Sequence, residues 1–429
     1  MLTPLGSFIL LISCFFLLVL AGLPIYMSFI ASCLLFVAVD PRLTLQMIPP
    51  ILYSSLDSFP LLAIPLFIFS GDIMAGGKIS EKLFLFAEGI LGWMPGSTGA
   101  VNVLGSMFFG AVSGSAPATT AAMGAMVEPR MRGVYKNGYT TSLIAASGML
   151  GILIPPSIPF VMYGFLTGTS ISNLFIAGIF PGIFMGILFI LWNTMYAKNH
   201  GIPKASSSGI GFFKSLYNAI WALLMPLIIL GGIYGGIFTP TEAASVAVIY
   251  AILVSLFVYR SLKIKDIFIL AGRTGYMLLT FMLIFVFGSL FSRIMTITNM
   301  TPAIIEFLTS LTQSRVILLL LINLFLFIIG MVMDAVTGII LVVPLFFPLA
   351  TGALGLNPVH FGAIVVTNLA VGMITPPMAG NLFVAMRLTG ASLGESIKDL
   401  IPFVLIGMIV VMVVTFIPGF SMGLLDILK

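Results

Sequence analysis

Two short stretches of this sequence carry the residue types that bind small cations. Ser113, Gly114 and Ser115, inside Gly110-Ala-Val-Ser-Gly-Ser-Ala-Pro-Ala-Thr119-Thr120, set hydroxyl oxygens and closely approachable backbone within an apolar region. Oxygen atoms of this kind are the hard ligands that Na+ prefers. Asp334 and Thr337, in Asp334-Ala-Val-Thr-Gly338, stand between Ile328-Ile329 and Ile339-Ile340-Leu341. An ionised carboxylate so placed is costly unless it pairs or holds a cation. Each stretch also has a plainer reading. Small residues permit close helix packing, and an Asp ahead of a helix caps it, which does not exclude ion binding.

A broken apolar segment follows each stretch. Ser147-Gly-Met-Leu-Gly151-Ile-Leu-Ile-Pro155-Pro156-Ser157 returns as Asn368-Leu-Ala-Val-Gly372-Met-Ile-Thr375-Pro376-Pro377, 221 positions later, and Gly110 returns as Gly330 after 220. A helix cannot run smoothly through Gly-x-x-x-Pro-Pro, because the second proline lacks an amide hydrogen and the residue before each proline leaves the helical region. Carbonyls freed at Gly151, Pro155, Gly372 and Pro376, with the hydroxyls of Ser157 and Thr375, complete the candidate Na+ ligands. Ser147, Asn368 and Asn381 flank the breaks and are candidate substrate contacts. Arg293, near one end of a long apolar run, could hold a carboxylate through a bidentate contact. It could equally snorkel to an interface or pair with Glu306.

These residues need elements that carry them to membrane depth, and the composition supplies them. Of 429 residues 60% are hydrophobic and 7% charged, with a mean hydropathy of +1.22, far from a soluble domain. Apolar runs predict an all-α polytopic membrane protein of about ten spans, near 5–21, 23–39, 58–76, 137–166, 172–196, 216–237, 241–259, 273–297, 358–386 and 400–419. The stretches at 98–129 and 316–350 are too long for one crossing, are interrupted at mid-length by small or polar residues, and read as re-entrant helical hairpins. Segment 79–92 is amphipathic and suits an interface.

Basic residues cluster at 78–82, 130–136, 198–214, 260–273 and 387–398. With ten spans and two hairpins all five fall on one side, which the positive-inside rule makes cytoplasmic. The N-terminus is then periplasmic, a retained helix, and the two halves are inverted repeats. Paired interruptions in such halves point to a secondary transporter's binding site. Scaffold helices are expected at 1–57 and 198–272, and hairpin-bearing transport elements at 58–197 and 273–429.

Other classes fit poorly. The net charge of +5 is small and scattered, which gives no nucleic-acid footprint. Cys14 and Cys33 lie in apolar runs and suggest neither disulfide nor metal site. Gly71–Lys78 fails as a phosphate loop, since Asp72 stands where the first glycine belongs and Ile79 replaces the Ser or Thr. His200 and His360 fall on opposite predicted sides. No enzyme is expected, and with no nucleotide site the energy must come from an ion gradient or from nothing.

At these residues the chain resembles the large membrane subunit of the tripartite ATP-independent periplasmic (TRAP) transporters, the DctM family. The resemblance is carried by Phe59-Pro-Leu-Leu-Ala-Ile-Pro-Leu-Phe-Ile-Phe-Ser-Gly-Asp-Ile-Met74, the Ser113–Thr120 stretch, Gly151–Pro159, Gly236-Ile-Phe-Thr-Pro-Thr-Glu-Ala-Ala244 and Gly372–Pro377. Asp72 replaces the more usual Glu. The resemblance implies an elevator motion of hairpins and broken helices against a scaffold, with Na+ as coupling ion. It also implies a small four-helix membrane subunit and a periplasmic solute-binding protein as partners, in the bacterial inner membrane. Substrates would be organic acids, C4-dicarboxylates or sialic acid, bound between the two tips. A stand-alone ion-coupled carboxylate carrier is the alternative.

Overall fold

A computed structural model describes residues 3–204 and 211–428, so Lys429 lies outside the described residues. Helices α1 (Pro4–Leu20), α2 (Ile25–Val39), α3 (Ile48–Leu56), α4 (Ala63–Gly76) and α5 (Ile79–Leu91) lead to a hairpin of α6 (Ser97–Ser113) and α7 (Ala116–Met131). A broken helix follows, α8 (Asn137–Met149) and α9 (Ile158–Thr167), and then α10 (Ile171–Asn199). The second half has α11 (Phe212–Tyr234), α12 (Pro240–Leu253), α13 (Ile264–Ile297) and α14 (Met300–Leu311) before its hairpin, α15 (Arg315–Val332) and α16 (Ala335–Pro348). Its broken helix is α17 (Pro358–Gly372) and α18 (Gly380–Thr389), followed by α19 (Leu393–Phe416) and α20 (Gly419–Leu428). The described residues contain no strand.

The repeat read from the sequence is present in the backbone. Helices α5 and α14 begin 221 residues apart, and each follows a non-glycine residue in the left-handed region, Lys78 at φ 59° and Asn299 at φ 55°. Both diprolines, Pro155-Pro156 and Pro376-Pro377, are cis, and α9 and α18 both end on a left-handed glycine, Gly168 and Gly390.

Among the described residues eight helical stretches are long and apolar enough to cross a membrane, including Ile171–Asn199, Phe212–Tyr234, Ile264–Ile297 and Leu393–Phe416. Helices α1 and α2 are apolar but shorter, with 17 and 15 residues. The two breaks divide the predicted runs 137–166 and 358–386 into pieces too short to span alone. Both pieces that lead into the breaks lie in the interior: α8 is buried from Gly138 through Met149, and α17 from Val359 through Gly372. A helix apolar on every side belongs inside a bundle, and backbone freed at its end is then surrounded by protein rather than lipid.

The structure departs from the sequence reading at four helices, α13, α3, α14 and α20. Helix α13 begins at Ile264 rather than 273 and runs unbroken through residue 272, where a segment boundary was expected. The charges of Lys265, Asp266 and Arg273 end the apolar run without breaking the helix, because long polar side chains sit on its exposed surface and Asp266 caps its first turn through the Lys263 amide at 2.8 Å. The short helices α3, α14 and α20 were not anticipated, being too brief for a hydropathy window.

Two groups of helices can be followed through their packing, and they are joined where α5 packs on α6 and α13 on α16. α4 packs on α12 and α13, α13 also on α2 and α3, and α5 on α11. In the other group α6 and α7 pack on α8, and α15 on α17. The second piece of each broken helix crosses to the other half: α9 packs on α16 and α18 on α7.

Candidate functional site

Each hairpin tip is docked on the broken helix of its own repeat by glycines facing glycines. A methyl group on Gly110 would lie 2.6 Å from the Gly151 Cα, and one on Gly372 2.5 Å from the Gly330 Cα. No side chain fits at those distances, so the tip backbone rests directly on the break. One main-chain hydrogen bond seals each contact. The Ile158 amide donates to the Gly114 carbonyl at 3.2 Å, and the Met378 amide donates to the Met331 carbonyl at 3.0 Å.

At the first tip Gly114 turns the chain at φ 60°, in the left-handed region open to glycine. Ser113 is buried and shares a 3.0 Å hydrogen bond with Thr119, whose hydroxyl also donates to the Ser115 carbonyl at 2.8 Å. Ser115 and Ser157 are the N-caps of α7 and α9, accepting from the Ala118 and Phe160 amides. The Ser157 hydroxyl donates to the Ile152 carbonyl at 2.6 Å. Ser113, Gly114, Ser115, Gly151 and Ser157 thus come together, and Thr119 joins them. Its position one turn into α7 was the available signal, a hydroxyl at i+4 from Ser115.

At the second tip Asp334 is exposed and caps α16. One carboxylate oxygen accepts from the Val336 and Thr337 amides at 3.0 and 3.2 Å, and the other accepts from the Thr337 hydroxyl. The plainer capping reading therefore holds, and an exposed carboxylate keeps lone pairs for a cation. The Thr375 hydroxyl donates to the Val371 carbonyl at 2.9 Å, and the Thr375 amide to the Gly372 carbonyl at 2.8 Å. Asn381 is fully buried at the start of α18 with neither amide atom hydrogen-bonded. Among the described residues no cluster of three His, Cys, Asp or Glu could hold a metal; the donors here are hydroxyls, carbonyls and one carboxylate, a set suited to Na+.

Both tips open onto one cavity of about 250 Å³. Gly114, Ser115 and the start of α7 form one wall, Asp334 and the start of α16 another, and the start of α9 a third, with Met373 of the second break. Helices α4 and α13 contribute Ile68, Met277 and Phe281 to its lining. The N-termini of α7, α9 and α16 thus meet at one space, and their dipoles favour negative charge there.

Three expected substrate contacts lie elsewhere. Ser147 is buried and donates to the Leu143 carbonyl of its own helix at 2.7 Å. Asn368 donates to the Asn323 side chain at 2.8 Å and to its carbonyl at 3.0 Å. Asn323 in turn donates to Thr415 of α19 at 3.1 Å, so α15, α17 and α19 are tied by buried amides. Arg293 is exposed, does not line the cavity, and has no ion-pair partner among the described residues, Glu306 included. In its place the wall offers apolar side chains of α13, which no polar signal in the sequence could reveal.

The model of the tripartite ATP-independent periplasmic transporter DctM component matches residues 12–420. The chain belongs to the DctM family. It is 37% identical to the C4-dicarboxylate TRAP transporter large permease DctM of Pseudomonas aeruginosa over 87% of this chain and 88% of that one. It is 34% identical to the sialic acid TRAP transporter large permease SiaM of Vibrio cholerae over 94% and 95%. The isethionate TRAP transporter permease DctMQ of Oleidesulfovibrio alaskensis is 36% identical over 95% of this chain, which spans 65% of that protein's length. The crystal structure of the Alcanivorax borkumensis YdaH transporter shares the fold, with a TM-score of 0.66 at 16% identity over 93% of this chain and 99% of that one. This member of the DctM family is thus a multi-pass membrane transporter, not an enzyme.

Proposed function

We propose that the chain imports an organic acid, of the C4-dicarboxylate or sialic acid class, driven by a Na+ gradient across the bacterial inner membrane. The observation that carries this reading is the single cavity shared by both tips. Cation donors, a carboxylate and three helix N-termini face one space there. In this reading Na+ binds at Ser113–Ser115 with Gly151, Pro155 and Ser157, and at Asp334 and Thr337 with Gly372, Thr375 and Pro376. The anion sits between, held by its two cations and the helix dipoles.

Each ion stabilises its tip against the break, so a carrier loaded with one ligand alone keeps an unsatisfied partner. Coupling then follows from unequal stability of the loaded and half-loaded states. Hairpins and broken helices would move together as an elevator against α2–α4 and α11–α13. By family membership, a small four-helix membrane subunit and a periplasmic solute-binding protein would complete the system, and the basic clusters at 78–82, 130–136, 198–214, 260–273 and 387–398 support an N-terminus that faces the periplasm.

The test is uptake by proteoliposomes that hold this chain with its small subunit, supplied with loaded binding protein. Uptake is expected to require inward Na+, and Asp334→Ala to abolish the Na+-dependent part while insertion and expression persist. Full Na+-dependent uptake in that variant would remove the second ion site from the reading. Uptake without any binding protein would instead indicate a stand-alone carrier.

A further inference from the structure

The transport reading leaves unassigned the part of the cavity wall that comes from outside the hairpins and broken helices. Ile68 of α4 and Met277 and Phe281 of α13 line the cavity there, together with Ile152, Ile158 and Met373. All six are apolar. Among the described residues the only polar side chains that line the cavity, Ser115 and Asp334, sit at the tips, where Ser115 accepts from the Ala118 amide at 3.4 Å and Asp334 from Val336 and Thr337, and in the import reading both hold Na+. Pro117 and Pro159, which also line it, have no amide hydrogen to give.

We propose that Met277 and Phe281, with Ile68, are specificity-determining residues. They select an acid whose body between its charged ends is apolar and reject one that carries hydroxyls along that body. The inference rests on the acid-import reading and adds residues to it. A hydroxyl driven against this wall loses its water and meets no partner, which lowers affinity roughly ten- to hundred-fold for each such group. A methylene at the same place gains by burial. Because the selecting wall belongs to α4 and α13, an acid would be tested against it only where tips and wall face each other, before the hairpins move.

The experiment measures ligand-induced thermal stabilisation of the purified permease with its small subunit in saturating Na+. The ligands are succinate and tartrate, two four-carbon diacids that differ in two hydroxyls. No binding protein is present, so its own selectivity cannot enter. Succinate is expected to stabilise at concentrations at least ten-fold below tartrate. Phe281→Asn and Met277→Gln are expected to narrow that ratio by strengthening tartrate, with the Na+ dependence of stabilisation unchanged. Phe281→Leu, apolar and smaller, should keep the ratio and shows that lost volume alone is not the cause.

An unchanged ratio in folded Phe281→Asn and Met277→Gln, or a preference of the unsubstituted protein for tartrate, overturns the assignment and leaves the import reading intact. Failure of both acids to stabilise the protein, with Na+ or without, overturns the assignment and removes the C4-dicarboxylate class from the import reading.

Discussion

The closest backbone approach at the site, Gly372 against Gly330, gives the sharpest perturbation. A methyl group on Gly372 would lie 2.5 Å from the Gly330 Cα and carbonyl carbon and 2.9 Å from the Met331 nitrogen. All three are main-chain atoms of the hairpin tip, so none can swing aside as a flexible side chain would. Overpacking of this kind costs about 1–3 kcal/mol, and rigid neighbours put Gly372→Ala at the upper end. At about 3 kcal/mol the equilibrium between docked and undocked tip shifts on the order of a hundred-fold.

The reverse substitution is milder. A methyl on Gly330 meets the Gly372 Cα at 3.0 Å and the Leu369 carbonyl at 3.1 Å, which a few tenths of an ångström of movement relieves. Gly394→Ala, with nothing within 4 Å, controls for the intrinsic effect of alanine. The assay is thermal unfolding of the purified protein across a Na+ titration. The Na+ concentration for half-maximal stabilisation should rise in the order Gly394→Ala, Gly330→Ala, Gly372→Ala, with at least ten-fold between the first and last. If Gly372→Ala matches Gly394→Ala in both melting temperature and Na+ response, the tip does not rest on the break as described.

Three further outcomes are expected. Asn323→Leu removes the side-chain hydrogen bonds to Asn368 and Thr415, leaving the Asn368 amide only the main-chain carbonyl of residue 323, and should destabilise by about 1–3 kcal/mol, whereas Asn323→Leu combined with Asn368→Leu should cost less than the two single changes added together; a double-mutant cycle in chemical or thermal unfolding measures this. Arg293→Gln, outside the cavity, should leave KM for the transported acid unchanged in the reconstituted uptake assay. Asp40, held below the usual carboxylate range first by its hydrogen bonds to Arg42, contributes stability present above the unfolded carboxylate value of about 4 and lost as pH falls through its lower folded value; unfolding followed between pH 6 and 3 should show this loss in the native protein and not in Arg42→Ala.

Much of this site was legible because the physics that builds it is local. Gly-x-x-x-Pro-Pro cannot be helical, and its recurrence at 221 residues located both breaks. Ser113–Ser115 and Asp334 stood out because polar residues in apolar runs need a reason. What could not be read depends on which faces meet. Asn368 looks available in the sequence, yet its amide is consumed by Asn323 from a helix 45 residues earlier. Arg293 looks like an anion ligand by type alone, and its helix turns it outward. Met277 and Phe281 resemble every other apolar residue of a 34-residue helix, so only packing could single them out.

The crossing of α9 onto α16 and of α18 onto α7 bears on how such a chain could arise. Cut between α10 and α11, each half would leave the returning arm of its hairpin without one of the helices that pack on it. A half-length ancestor could supply that helix by pairing with a second copy inserted the opposite way up, each lending a helix to the other. The present protein has the build of an intertwined antiparallel dimer whose two copies were joined end to end. Once joined, they could diverge, and Asp334 now stands in one copy where the other has Gly114.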